Sequence, residues 1–396
     1  MTIHADILES LDELVAVRHA IHQNPELGMQ ETETSKLVAE KLTDWGIEFV
    51  TGIGNTGIVA TIKGDLPGDG MIGLRADMDA LPIYEETNLP YASKKPGIMH
   101  ACGHDGHTTM LLGAAKHLVK HRDFAGTAVL IFQPAEEGEG GARAMVADGL
   151  FEKFPCSSVY TMHNFPGLEA NRIALRQGPI TANCDRWTVE FVGTGGHGGS
   201  TPHQATDVTV SAGHFLLGVQ TIVSRNVSAK ETAVVSVGFT QAGAAKNPNV
   251  MPANFKIGGV ARSFTDETRD ILKSRLEHLA RQSAEMQFCE AKVNYYQTGW
   301  AVNNSEKQYD IALQAAQKAV GENNVDLDVA PTTGGEDFGE MAQVVDACMV
   351  LIGNGADGAE PSPRLHTPGY NFNDDIIPSG VAYWVSLVKE ELKPQG

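Results

Sequence analysis

At 396 residues the chain is long enough for two or three domains of roughly 150 residues each. Its 42% hydrophobic and 20% charged residues describe an ordinary globular protein that builds its core without help from disulfides. A net charge of −19, offset by no basic cluster, argues against nucleic acid or an anionic membrane surface as partner.

Residues 6–22 place Ile7, Leu11, Leu14, Val15 and Ile21 at helical spacing behind an acidic start, and Leu37, Val38, Leu42 and Trp45 predict a second helix over 33–45. Short apolar runs then read as strands at 57–62, 71–76, 127–132, 157–162 and 348–352, with helices near 107–120, 140–149 and 306–320 between some of them. Buried strands interleaved with helices predict an α/β domain whose mostly parallel sheet is flanked by helices. The middle differs. A strand from 186, a helix near 206–224, strands at 232–239 and 255–264, a helix at 266–286 and a strand at 291–297 give the order β-α-β-β-α-β. That is a ferredoxin-like α+β unit. The expected layout is a discontinuous domain over 1–184 and 300–396, interrupted by an insert over 185–299.

Several polar side chains fall at strand ends, where open α/β sheets place their ligand crevices. Asp77 follows the strand at 71–76, Glu136 and Glu137 follow 127–132, His163 ends 157–162, and His366 lies after 348–352. ACGHDGHTTM at 101–110 adds a Cys-x-His-x-x-His cluster ahead of a helix. Thiolate, imidazole and carboxylate together suit Zn, Mn, Co or Ni better than Mg or Ca. One glutamate of an adjacent pair can bind metal while the other stays free as a general base toward a metal-activated water. The pattern points to metal-assisted hydrolysis.

The segments HAIHQNPEL, GLRADMDALP, MHACGHDGHTTMLLGAAKHL, FQPAEEGEGGA, MHNFPGL, GGHGGSTPH, QTIVSRNV, EDF and LHTPGYNFND run in order over nearly the whole chain. Together they resemble the hippurate hydrolase branch of the metallo-aminoacylase/carboxypeptidase family. The resemblance implies a catalytic domain with an inserted lid that dimerises, and hydrolysis of the amide bond of N-acyl amino acids, with a dipeptidase or aminopeptidase activity as the alternative. It implies Cys102, His104, Glu137, His163 and His366 as ligands of a divalent transition metal, two ions per subunit, bridged by Cys102. It makes Glu136 the general base and His197 the lid histidine that polarises the scissile carbonyl. Asn249 and Arg262 resemble the pair that holds the substrate's free carboxylate, for which a forked guanidinium is well shaped. Where carboxypeptidase-like relatives carry His-x-Asp, this chain has Asp77-Met78-Asp79, so Asp77 is expected beside the metal centre rather than in it. The stretch from His197 to Pro202 is one residue longer than the family's usual form.

Other signals are expected to be structural. GIGNTG at 52–57 matches a dinucleotide fingerprint in letters, but a strand rather than a helix follows it, which predicts a hairpin. No Gly-x-Ser-x-Gly elbow occurs. Cys102 with His104 reads as a ligand pair rather than a nucleophile and base, His107 as a supporting residue, His19 and His22 as structural, and Asp207 as a helix start. No apolar run approaches the ~18 residues of a membrane span. The N-terminus lacks a signal-peptide pattern, and the five cysteines include no Cys-x-x-Cys pair. The expectation is a cytoplasmic enzyme with free thiols.

Overall fold

The structure, a computed structural model, describes residues 3–358 and 364–394. The chain divides into two compact units. The first comprises Met1–Ile180, Val302–Ala330 and Glu336–Gly396; the second comprises Thr181–Ala301 and Pro331–Gly335. The second unit thus begins earlier and ends later than the insert expected over 185–299. It also takes in a short return segment that carries no sequence signal.

The first unit opens with helices α1 (Ala5–Glu9), α2 (Leu11–Gln23) and α3 (Thr32–Asp44), and α4 (His104–Leu118) lies further along the chain. The single helix expected over 6–22 is broken at Ser10, whose hydroxyl donates to the carbonyl of Asp6 at 2.7 Å. That local bond competes with helix continuation. The sheet is built from β1 (Glu48–Ile53), β2 (Gly57–Lys63), β3 (Leu66–Asp77), β4 (Ala125–Gln133) and β5 (Ser158–Gly167), with Asp346–Ala356 beside β5. Two short strands, Ile173–Ala174 and Val325–Asp326, complete an eight-stranded order of β1-β2-β4-β3-β5, Asp346–Ala356, Ile173–Ala174, Val325–Asp326. The central pairs β3–β4, β3–β5 and β5 with Asp346–Ala356 are parallel, and β1–β2 and β2–β4 are antiparallel. This is the expected α/β class.

Parallel strands covered on both faces lose their alternation, and 127–132 and 348–352 accordingly read as continuous apolar runs. GIGNTG closes the β1–β2 hairpin, with Asn55 in the left-handed region at φ 83°. α4 is buried almost all round, including His104, Asp105 and His107. Among the described residues no helix is long and apolar enough to cross a membrane. None of the five cysteines is in a disulfide.

The second unit is a four-stranded antiparallel sheet in the order Ala233–Ala242, Asn254–Ser263, Asn183–Val192, Glu290–Gly299. Two main helices, Val208–Val219 and Asp266–Glu285, complete the ferredoxin-like β-α-β-β-α-β order. Trp187, Val189 and Phe191 alternate inward from one strand, and Leu272, Leu276 and Ala280 form a stripe at i, i+4 on the long helix. Asp207 accepts from the Thr209 N–H and Thr265 from the Thr268 N–H, so both helices start on a side-chain cap.

Candidate metal centre

Four elements of the first unit deliver the candidate ligands. β3 ends at Asp77, and two residues on is Asp79. β4 ends at Gln133, and the turn after it carries Glu136 and Glu137; Ala135 sits at φ 52°, its N–H held by Glu31 at 2.8 Å. Gly103 precedes α4 at φ 87°, and a Cβ there would stand 2.4 Å from both Asn164 Nδ2 and Tyr370 Oη. Only glycine permits that turn, which sets Cys102 and His104 on either side of it. β5 carries His163 within the strand rather than at its end, because pairing continues to Gly167. His366 lies in a loop at φ 61°, its N–H bound to the carbonyl of Ala101 at 2.8 Å.

Ligand-capable atoms of Cys102, His104 and His163 lie within 4.8 Å of one another. So do those of Cys102, Glu137 and His366, and those of His104, Glu136 and Glu137. Cys102 is common to the first two groups. Its Sγ is 3.4 Å from Nε2 of His163, whose Nδ1–H donates to the Asn164 carbonyl at 2.7 Å. A ring that donates from Nδ1 presents a bare lone pair at Nε2. His104 repeats the arrangement: Nδ1–H donates to Asp79, and Nε2 is buried with no hydrogen-bond partner. Glu137 Oε1 is likewise buried, 3.1 Å from Nε2 of His366 but without the alignment of a hydrogen bond. Buried polar atoms without partners are costly. These aim at common points, and thiol, imidazole and carboxylate donors together fit a divalent transition ion.

The electrostatics agree. Burial works against charge on His104, but the Asp77 carboxylate, with Cys102 and Asp79 adding to it, outweighs burial and raises the pKa well above the usual value; the same Asp77 charge, 3.6 Å from Nε2, favours a cation there. Burial raises the Glu136 carboxyl well above its ordinary range, and the neighbouring Glu336, Glu137 and Asp337 push it further. Asp77 has both oxygens in use, one by His107 at 2.6 Å and one by Arg75 at 2.9 Å. His107 is used on both sides too, since its Nε2 accepts from the Asn164 N–H at 2.9 Å. Both therefore support the ligands.

Sequence reasoning missed the fully buried Arg75, which donates to Gln133 at 2.7 Å, to Asp77, to Glu336 at 2.9 Å and to Asp337 at 3.1 Å. Its signal was a charge inside an apolar strand, GLRAD. A second buried network joins Arg18 and His22 of α2 to Asp105 of α4 at 2.9 and 2.8 Å.

The second unit holds the remaining candidates. His197 is exposed and pairs in register with Val250, and the N–H of Gly198 donates to the Asn249 carbonyl at 2.8 Å, so His197 and Asn249 are near neighbours. The N–H groups of Gly199 and Ser200 donate to His197 Nδ1 at 3.2 and 3.3 Å, which leaves the ring proton on Nε2. The longer stretch after it forms a turn back onto the His197 carbonyl before the short helix at Pro202–Gln204. Arg262 donates to the carbonyls of Ala261 at 2.9 Å and Asp185 at 3.4 Å rather than to Asn249. Among the described residues no carboxylate pairs with it.

Residues 73–390 match Peptidase family M20/M25/M40. The chain belongs to this family. It is 40% identical over 393 residues to a hippurate hydrolase of Campylobacter jejuni, covering 99% of this chain and all of that one. It is 35% identical to an N-acetylcysteine deacetylase of Bacillus subtilis, covering 94% and 95% of the two chains. Among solved structures, a dinuclear metal-binding M20 peptidase of Bacillus subtilis superposes with a TM-score of 0.85 at 31% identity, covering 97% and 99%. This M20 chain is accordingly a metal-dependent hydrolase, and its centre takes divalent metal.

Proposed function

We propose that the protein hydrolyses the amide bond of N-acyl amino acids of the hippurate type, releasing a carboxylic acid and an amino acid. Supporting this reading are the activities named for the hippurate hydrolase and the N-acetylcysteine deacetylase, each matched over nearly its full length. The observation that carries it is the division of labour in the adjacent glutamates. Glu137 turns a buried, unpartnered oxygen toward His366, while Glu136 is engaged only weakly, accepting from the Asp337 N–H at 3.3 Å.

In this proposal Cys102, His104, Glu137, His163 and His366 would hold the divalent metal, two ions of Mn, Zn, Co or Ni per subunit. When bound, such ions polarise the amide carbonyl and bring the pKa of water toward neutrality. Glu136 takes the proton from the attacking water, and its raised pKa lets it hold that proton before passing it to the leaving nitrogen. His197, with its proton on Nε2, donates to the carbonyl oxygen as charge develops there. Arg262, free of any carboxylate partner among the described residues, takes the substrate's free carboxylate together with Asn249. The second unit serves as lid and, in a homodimer, as the subunit contact. Its edge strand Ala233–Ala242 exposes Val234 and Phe239, which favours that role.

The test is amine release by metal-stripped enzyme reloaded separately with Mn, Zn, Co or Ni, on hippurate, N-acetyl amino acids and matched dipeptides. Metal-dependent cleavage of the acyl amino acids is expected. Cleavage of dipeptides alone would replace the reading with a dipeptidase.

A further inference from the structure

A second group of metal-competent side chains lies at the other end of α4. His117 occupies the last turn of the helix, and the chain continues for one more turn, the His121 N–H donating to the His117 carbonyl at 3.1 Å. The i, i+4 spacing sets both imidazoles on one side, with stacked rings 4.3 Å apart. The start of the chain supplies two more groups. His4 is the extended residue that precedes α1, and Asp6 lies in the first turn of that helix.

The four side chains converge. One ligand atom from each of His4, Asp6, His117 and His121 lies within 4.8 Å of the other three. The Asp6 carboxylate receives His117 Nδ1 at 3.0 and 3.1 Å, His121 Nε2 at 2.9 Å, and Nδ1 of His4. The His4 ring stands 5.0 Å from that of His117 and 4.8 Å from that of His121. The Asp6 carboxylate thus gathers one nitrogen from each of three imidazole rings, and an ion bound among them would take the place of the protons these nitrogens share with it. The nearby cation Lys116 is paired with Glu13, which it shares with Lys41.

We infer that His4, Asp6, His117 and His121 form a separate, non-catalytic site for a divalent transition ion of the zinc type, which fastens the start of the chain to the end of α4. Three imidazole nitrogens and one carboxylate oxygen make a four-donor set of the kind zinc takes tetrahedrally, and imidazole disfavours Mg and Ca. The thirteen residue steps of α4 from His104 to His117 put the site about 20 Å from the catalytic centre at 1.5 Å per residue. Nothing in the inference depends on which bond the enzyme cleaves.

The test compares wild type with the double variant His4→Ala/His121→Ala, whose substituted side chains are 56% and 35% exposed and so removable without opening the core. Both proteins are stripped with chelator, titrated with Zn²⁺ alone, desalted and measured for bound metal. Wild type is expected to retain one equivalent more than the variant, and Asp6→Asn is expected to lose the same equivalent. With Co²⁺ as a second probe, the wild-type minus variant spectrum shows tetrahedral d–d bands. Equal stoichiometry in wild type and variant would overturn the site, whatever the hydrolytic rate.

Discussion

Asp79 accepts the Nδ1–H of His104 at 3.1 Å and leaves Nε2 of that ring buried without a partner. The other Asp79 oxygen accepts the Glu137 N–H at 2.9 Å, so one carboxylate orients two candidate ligands from different elements. A carboxylate on the far nitrogen of a ligating histidine fixes its tautomer and raises its basicity. Asp79→Ala is expected to weaken metal binding by about 10–100-fold, measured by competition with a chromophoric chelator. Unchanged affinity would show that the backbone carbonyl of Asp79, 3.0 Å from the same nitrogen, suffices.

Glu136→Gln separates proton transfer from metal binding. The amide keeps the shape of the side chain but cannot take a proton, and general-base catalysis contributes about 10²–10⁴-fold. kcat should fall by that factor at unchanged metal content. A variant that keeps wild-type turnover would refute the base assignment.

What was legible in the sequence follows from how local each signal is. The ligand candidates sit in short motifs after or within strands and at the start of α4, and the strands among them read as apolar runs because both faces are covered. β1 went unread because only Ile53 of that strand is buried, so it has no apolar pattern. Arg75 and Glu336 are 261 residues apart, and no local pattern predicts that they meet. Asp79 was visible beside Asp77, yet its task depends on where α4 places His104, which is a tertiary fact. The break at Ser10 turns on one side-chain bond that hydrophobic spacing does not encode.

Gly103→Ala tests the turn that presents Cys102 and His104. A Cβ there meets Asn164 and Tyr370, which are bound to each other at 2.7 Å and so cannot both give way. The positive φ adds roughly 1–2 kcal/mol for any L residue. The variant should be destabilised by at least about 2 kcal/mol and lose metal as its ligands part. Thermal melting and metal analysis check this, and a variant with wild-type melting and metal content would contradict it.

His22 and Asp105 give the protein an alkaline stability limit. Burial alone would lower the pKa of His22, but the Asp105 carboxylate at 2.8 Å, with Glu85, raises it to about 9. In the unfolded chain the ring titrates near 6.5. The pair therefore contributes fully below about pH 6.5, and its contribution is lost as pH rises through about 9. The loss is on the order of 3 kcal/mol. Melting temperatures from pH 6 to 10 should fall less steeply in His22→Gln than in wild type. Parallel curves would place the titration elsewhere.

Arg262→Ala addresses substrate recognition apart from chemistry. The guanidinium is held by two backbone carbonyls and by no acid among the described residues, so its charge is available to a ligand. A charge-assisted bond of about 1.5–3 kcal/mol corresponds to roughly 10–100-fold. KM should rise by that factor for acyl amino acids with a free carboxylate and change little for the matching amides, while kcat holds. Equal losses on both substrates would mean that Arg262 braces the strand Asn254–Ser263 against Asp185 and leaves the carboxylate to another residue.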